Sequence, residues 1–345
     1  MRTKLFSAIK YLLFLSIGGA LLLLAFKGVD LKTTMHEIKE ANIFFVFLSI
    51  VASTIAFVSR AYRWNILIEP LGFKPKLSNT TYSLLVGYLA NLALPRIGEV
   101  TRCGALTKAE KIPFEELIGT VIVERAIDVI TLLLLILLTA FVEFERLGNF
   151  LYQNLFIPMK DKIYHYLHSP LFIMGCIFLI AIVVILIRAL RKNSGKHGFI
   201  SRISTLLKGI MEGLRSVRKI KRPWAFLFHT VLIWSLYFFA GYICFFSLPA
   251  TSQLTWQAGL FVLIVGGIGM AAPVQGGIGI FHLLVSKGLL LYAIPYEHGI
   301  AFATLLHSTQ AILVILLGTI SFTLLFLADR KSSFEPSTIQ KQKPG

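Results

Sequence analysis

Charge is scarce in this 345-residue chain. Lysine, arginine, aspartate and glutamate make up 15% of it, against about 25% in soluble domains. Mean hydropathy is +0.76, which excludes an ordinary soluble fold. Cysteine is scarce too. Cys103, Cys176 and Cys244 are scattered and odd in number. No CxxC or His/Cys ligand spacing joins them, which argues against a disulfide framework and a zinc site. No metal or cofactor is expected. Strand-like alternation is lacking, which argues against an outer-membrane barrel. No segment is long and polar enough for a separate soluble domain of ordinary size. No nucleophile–base or metal–carboxylate pattern appears, so nothing in the sequence makes a case for catalysis.

What is present is apolar sequence from end to end, 56% hydrophobic. Recurrent stretches near the ~20 residues a bilayer requires predict an all-α polytopic membrane protein. Full-length candidates are 5–26, 43–59, 117–142, 171–187, 224–247 and 300–327. Two further apolar regions, 80–106 and 256–294, are broken in the middle. About six full spans plus two broken hairpins result, with an eight-span count left open. Residues 1–330 read as one membrane domain and 331–345 as a polar tail. The net charge of +17 sits mainly in a few loops. That is the pattern of the positive-inside rule rather than of a nucleic-acid binder.

Sidedness follows from counting lysine and arginine. Stretches 27–42 and 143–170 hold three each, 60–79 four and 188–223 eleven. The N-terminus, 60–79, 188–223 and the tail are therefore expected inside a cytoplasmic (inner) membrane. The apolar run to Phe26 lacks a clear small-x-small cleavage site, so it reads as an uncleaved first span. Region 80–106 must then enter and leave from the cytoplasm. Its 27 residues suit two half-depth arms at about 1.5 Å per residue, broken at Pro95–Gly98. Region 256–294 must enter and leave from outside. It breaks at Pro273, Gly276, Gly277 and Gly279, and its longer arms leave full crossings open. Two interrupted segments at matching places in opposed halves point to an inverted repeat with a binding site near the midplane.

One loop stands apart. Ile200, Ile203, Leu207, Ile210, Leu214 and Val217 fall on one helical face. Arg202, Lys208, Arg215 and Arg218 supply much of the rest. The pattern suits a helix in the cytoplasmic interface, drawn to anionic lipid, or one packed on the bundle with charges that only set topology.

The densest chemistry lies in the first half. Arg96, Glu99 and Arg102 follow one another at i, i+3, i+6, on one face if the second hairpin arm is helical. Glu124 and Asp128 share a face of span 117–142, with Arg125 turned about 100° away. A charge at membrane depth costs at least ~2.5 kcal/mol, so these groups cannot face lipid. The simplest arrangement pairs the clusters, with Arg125 as a bridge. Buried guanidinium groups offer bidentate donors to a phosphate. The cluster is thus either a headgroup site or a salt-bridge knot holding the hairpin. In the second half, Gly276-Gly277-Ile278-Gly279 offers backbone N–H groups or close packing. His282, His307 and Gln310 are secondary candidates.

The run Leu94-Pro95-Arg96-Ile97-Gly98-Glu99-Val100-Thr101-Arg102, then Glu124-Arg125-Ala126-Ile127-Asp128, then Gly276-Gly277-Ile278-Gly279, resembles the transmembrane, flippase-like region of lysylphosphatidylglycerol synthases over about 10–327. In bifunctional members of that family this region is associated with moving aminoacylated phospholipid between leaflets, and a separate cytoplasmic domain makes the lipid. With the chain ending at Gly345, that domain is expected to be absent, and aminoacyl transfer is not expected. The family's glycine hairpin commonly reads Pro-Gly-Gly-x-Gly with an acid soon after. Here Val274-Gln275 precede the glycines and His282 stands near the acid's place. The resemblance implies a transporter for an anionic or zwitterionic phospholipid, or a lipid-linked carrier, working between the two hairpins. The alternative is an accessory subunit presenting lipid to a separate lipid-modifying enzyme.

Overall fold

The computed structural model describes residues 16, 19–151 and 220–334. Residues 152–219, which hold the expected span 171–187 and most of the basic amphipathic loop, lie outside the described residues. So do 1–15, the greater part of the expected first span, and 335–345 of the tail. The chain divides into two compact units, residues 1–125 with 217–345, and residues 126–216.

Among the described residues the structure is helical and contains no strand. The first unit holds α1 (19–25), α2 (Leu31–Lys39), α3 (Ile43–Ile68), α4 (Leu77–Ala93) and α5 (Gly98–Glu110). Helix α6 (Phe114–Val142) begins in it and continues into the second unit, which also holds α7 (Phe144–Leu151). The first unit resumes with α8 (Pro223–Phe245), α9 (Trp256–Ala271), α10 (Ile280–Leu289) and α11 (Tyr296–Phe334). Local chemistry sets several starts. Asp30 and Asn42 accept the N–H of Lys32 and Phe44 at the heads of α2 and α3. Pro223 opens α8, where its missing N–H is no loss.

The stretches Ile43–Leu71, Pro223–Phe245 and Tyr296–Leu327 are long and apolar enough to cross a membrane. Their outer faces carry exposed Phe44, Phe47, Phe228, Val231, Leu316 and Phe322. A belt of that kind is stable against lipid and unfavourable against water, at about 25 cal/mol per Å² exposed. The described residues are those of a helical integral membrane protein.

One expectation is corrected here. The loop expected from residue 60 does not begin there, because α3 runs on to Ile68. Arg60 and Arg63 are buried helical residues, 6% and 0% exposed, and not loop charges. They stay in the helix because a carboxylate inside the unit receives them. The loop keeps Lys74 and Lys76. At its start, Glu69 pairs with Arg222, at the head of α8, at 2.9 Å.

Helices α3 and α8 lie antiparallel along their whole length. Asn42 N–H donates to Ser247 C=O, Ser49 Oγ to Ala240 C=O, and Ser59 Oγ meets His229 Nδ1. At the Arg222 end, α4 starts and α5 finishes, because the Lys76 N–H and the Asn79 side chain both donate to Glu110. At the Ser247 end, α9 starts and the chain after α10 returns, where the Tyr292 hydroxyl donates to Gln257 C=O. Helices α4 and α5 therefore form one hairpin and α9 and α10 another, opening at opposite ends of the α3–α8 pair. The four starts Ile43, Leu77, Gly98 and Phe114 are followed 179 to 182 residues later by Pro223, Trp256, Ile280 and Tyr296.

Candidate functional site

Two places gather the polar chemistry of the first unit. The first is built on Glu124, fully buried on α6. Its Oε1 accepts from Arg60 Nε at 2.8 Å and pairs with Arg60 Nη2 at 2.7 Å. Arg63 Nη2 reaches the same oxygen at 3.5 Å. Oε2 accepts from Arg102 Nη2 at 2.9 Å. Three guanidinium groups from α3 and α5 thus converge on one carboxylate. Charge-assisted bonds of this kind stand up to burial only when geometry is good and the remaining donors are served.

Neighbours hold each arginine in place. Arg102 stacks over the Trp64 ring at 4.5 Å, and Trp64 Nε1 donates to Thr120 Oγ1 at 2.8 Å. Arg63 approaches the Phe226 ring and Thr230 of α8. Arg60 Nη1 donates to the Tyr237 hydroxyl at 3.2 Å. Arg102 reaches the centre because α4 and α5 touch backbone to backbone. A Cβ on Gly87 would meet Gly98 O at 2.7 Å and Arg102 Cβ at 2.9 Å. The first hairpin arm turns back after Pro95, and the Gly98 N–H donates to Asn91 Oδ1 at 2.7 Å. Arg102 is 2% exposed, yet its Nε and Nη1 have no hydrogen-bond partner among the described residues. Buried donors left unserved cost about 1–3 kcal/mol, more when charged. An acceptor oxygen entering here would satisfy them.

The six charged residues chosen from the sequence do not form one cluster. Arg102 and Glu124 meet as expected. Glu99 pairs with Arg125 at 3.3 Å, a second ion pair that is partly exposed. Asp128 falls in the second unit. Arg96 leaves the cluster altogether. Arg60, Arg63, Trp64 and Tyr237 were not among the sequence candidates. The run Asn65-Ile66-Leu67-Ile68 after the two arginines was the available signal that α3 continues past them.

The second place is where the hairpin tips meet. Arg96, at φ +61°, sends Nη2 to Ala271 C=O at the end of α9, at 3.3 Å. Gln275 sends Nε2 to Ala93 C=O at the end of α4, also at 3.3 Å. The second tip is pinned from behind by His307 Nε2 on Gly276 O at 2.8 Å. Gly279 N–H lies 3.4 Å from His282 Nδ1. Gly279 sits at φ +82°, and a Cβ there would meet Leu22 N at 2.5 Å. Only glycine suits both the conformation and the contact with α1. His282 and His307 are thus fasteners of the tip. Gln310 Nε2 donates to Ser53 Oγ at 2.9 Å, joining α11 to α3. Among the described residues no group of three His, Cys, Asp or Glu side chains is placed to hold a metal ion.

The model of one family, described as the lysylphosphatidylglycerol synthase TM region, matches residues 8–318. A relative, the UPF0104 membrane protein MJ1595 of Methanocaldococcus jannaschii, is 23% identical over 295 residues. The alignment covers 76% of this chain and 82% of that protein. No solved structure matches.

Proposed function

Because the chain belongs to the lysylphosphatidylglycerol synthase transmembrane-region family, we propose that it carries a phospholipid or lipid-linked carrier between the leaflets of a cytoplasmic membrane. The phosphate of that lipid is drawn to the Arg60–Arg63–Arg102 cluster. The observation that carries this reading is Arg102, a buried guanidinium with Nε and Nη1 unserved. A phosphate oxygen is the acceptor such donors fit.

The architecture supports movement rather than catalysis. Equivalent helices α3 and α8 run antiparallel, and the four-helix spacing recurs after about 180 residues. That is the arrangement of an inverted repeat, with the two hairpins entering from opposite faces. The arms α4, α5, α9 and α10 have 17, 13, 16 and 10 residues. Each falls short of the ~20 residues of a full crossing, as re-entrant segments do. Access then alternates by rocking one half against the other around tips that meet near the midplane. The termini lie in the cytoplasm on this reading.

Reconstitution tests it. Purified protein in liposomes holding a fluorescent phosphatidylglycerol in one leaflet should move that lipid across, read by dithionite quenching. Arg102→Gln should slow the movement at least tenfold while the protein keeps its helical spectrum and monodispersity. Undiminished movement in that variant would assign the cluster a purely structural role. Binding without movement would favour presentation of lipid to a partner enzyme.

A further inference from the structure

The spacing that relates the two halves also relates two unlike places. Carried forward by the 180 residues separating α3 from α8, Arg60 falls on Ala240. Carried forward by the 182 separating α6 from α11, Glu124 falls on Leu306. Ala240 and Leu306 both line a cavity of about 160 Å³, together with Gly241, Gly266 and Phe281. A scaffold built twice therefore holds charge at one place and an apolar hollow at the counterpart.

The two places adjoin. Tyr237 lines the hollow, and its hydroxyl is the group that accepts from Arg60. Ser53 lines it as well and lies seven residues before Arg60 on the same face of α3, about 10 Å along the axis. A charged pocket joined to an apolar one at that separation matches an amphiphile. A soluble phosphoester would use only the first.

We infer that the hollow receives one acyl chain of the phospholipid whose phosphate is held by the arginine cluster, an assignment that rests on the function proposed above. Its volume is near the ~150 Å³ of a protein cavity that takes up benzene, room for about six chain carbons. The wall is low where the chain would lie, because a Cβ on Gly241 would meet nothing within 4 Å. The Ser53–Gln310 pair supplies polar groups partway along the wall. Those groups face the ester region of the lipid, between phosphate and chain.

The experiment compares dioleoyl phosphatidylglycerol in detergent micelles with glycerophosphoglycerol, the same headgroup without chains. Wild-type protein should bind the lipid at least tenfold more tightly than the free headgroup. Gly241→Leu, whose Cβ meets nothing within 4 Å and whose branched end occupies the hollow, should remove that tenfold advantage and leave headgroup binding unchanged. Arg102→Gln should weaken both. If Gly241→Leu binds lipid as wild type does, the chain assignment falls while the headgroup site stands. If wild type binds neither probe, both readings fall. A second measurement needs no variant. A phosphatidylglycerol with a diazirine in its acyl chain should, on irradiation, label the peptides containing Gly241 and Leu306. Labelling confined to other segments, or labelling there by a polyprenyl phosphate probe alone, overturns the assignment.

Discussion

Arg96 and Gln275 occupy matching places on the two hairpin tips, and each donates a hydrogen bond to the last carbonyl of the other hairpin's first arm. Helices α4 and α9 end without further turns of their own, leaving C-terminal carbonyls that need donors. Each tip supplies the other's. The exchange locks the tips together at the point where, on the proposed mechanism, they must part.

That lock is modest and coupled. Arg96→Ala and Gln275→Ala should each cost about 1 kcal/mol, the net worth of one such bond. Both bonds join the same two tips, so a double-mutant cycle on thermal stability in detergent should show coupling of at least about 0.5 kcal/mol. Strict additivity would mean that the tips do not open as one unit.

Glu124 should matter more for stability than any single arginine. Glu124→Gln leaves three buried guanidinium groups facing a neutral amide, and loss of one partner of a buried ion pair costs about 3–5 kcal/mol. Arg63→Gln keeps two of the three arginines on Glu124 and should cost less. Melting temperatures of the two variants check the order.

The glycines at the hairpins are not interchangeable with alanine. Gly279→Ala places a Cβ at φ +82° against the α1 backbone and should destabilise by more than the ~1 kcal/mol of an ordinary glycine–alanine difference. Gly104→Ala, whose Cβ meets nothing within 4 Å, should be neutral or slightly stabilising. Thermal melts of the pair provide their own control.

Sidedness is open to single-cysteine labelling in a background without Cys103, Cys176 and Cys244. Lys74→Cys and Ala109→Cys flank the first hairpin and should react with a membrane-impermeant maleimide from the cytoplasmic face. Gln253→Cys and Glu297→Cys flank the second and should react from the opposite face. All four positions are exposed. Labelling of Lys74→Cys and Ala109→Cys from different faces would mean a single net crossing between them and would overturn the hairpin.

Much of the plan was legible because lipid imposes simple rules. The apolar runs gave the helices, and the breaks at 94–97 and 272–279 fall where proline and glycine interrupt them. Of the motif residues at 94–102 and 124–128, Arg102 and Glu124 do meet, as the pairing of the two clusters required. The misreading of Arg60 and Arg63 has a physical cause. Charge counting assigns a basic residue at the edge of an apolar run to water, since it cannot see a carboxylate 61 to 64 residues away in sequence. Arg96 erred in the opposite direction. It shares a motif with Arg102, but its left-handed backbone turns it toward the other hairpin.

Composition and periodicity alone determined that this chain has the apolar helices of a membrane protein, that the apolar regions 80–106 and 256–294 are each interrupted, and that charge within apolar sequence gathers around 96–128. These are consequences of local solvation and backbone chemistry, which neighbouring residues decide among themselves. Tertiary structure decided which arginines surround Glu124 and which carbonyls the tips exchange. Those outcomes depend on contacts between residues up to about 180 positions apart, and only the packed chain brings such groups within hydrogen-bonding reach.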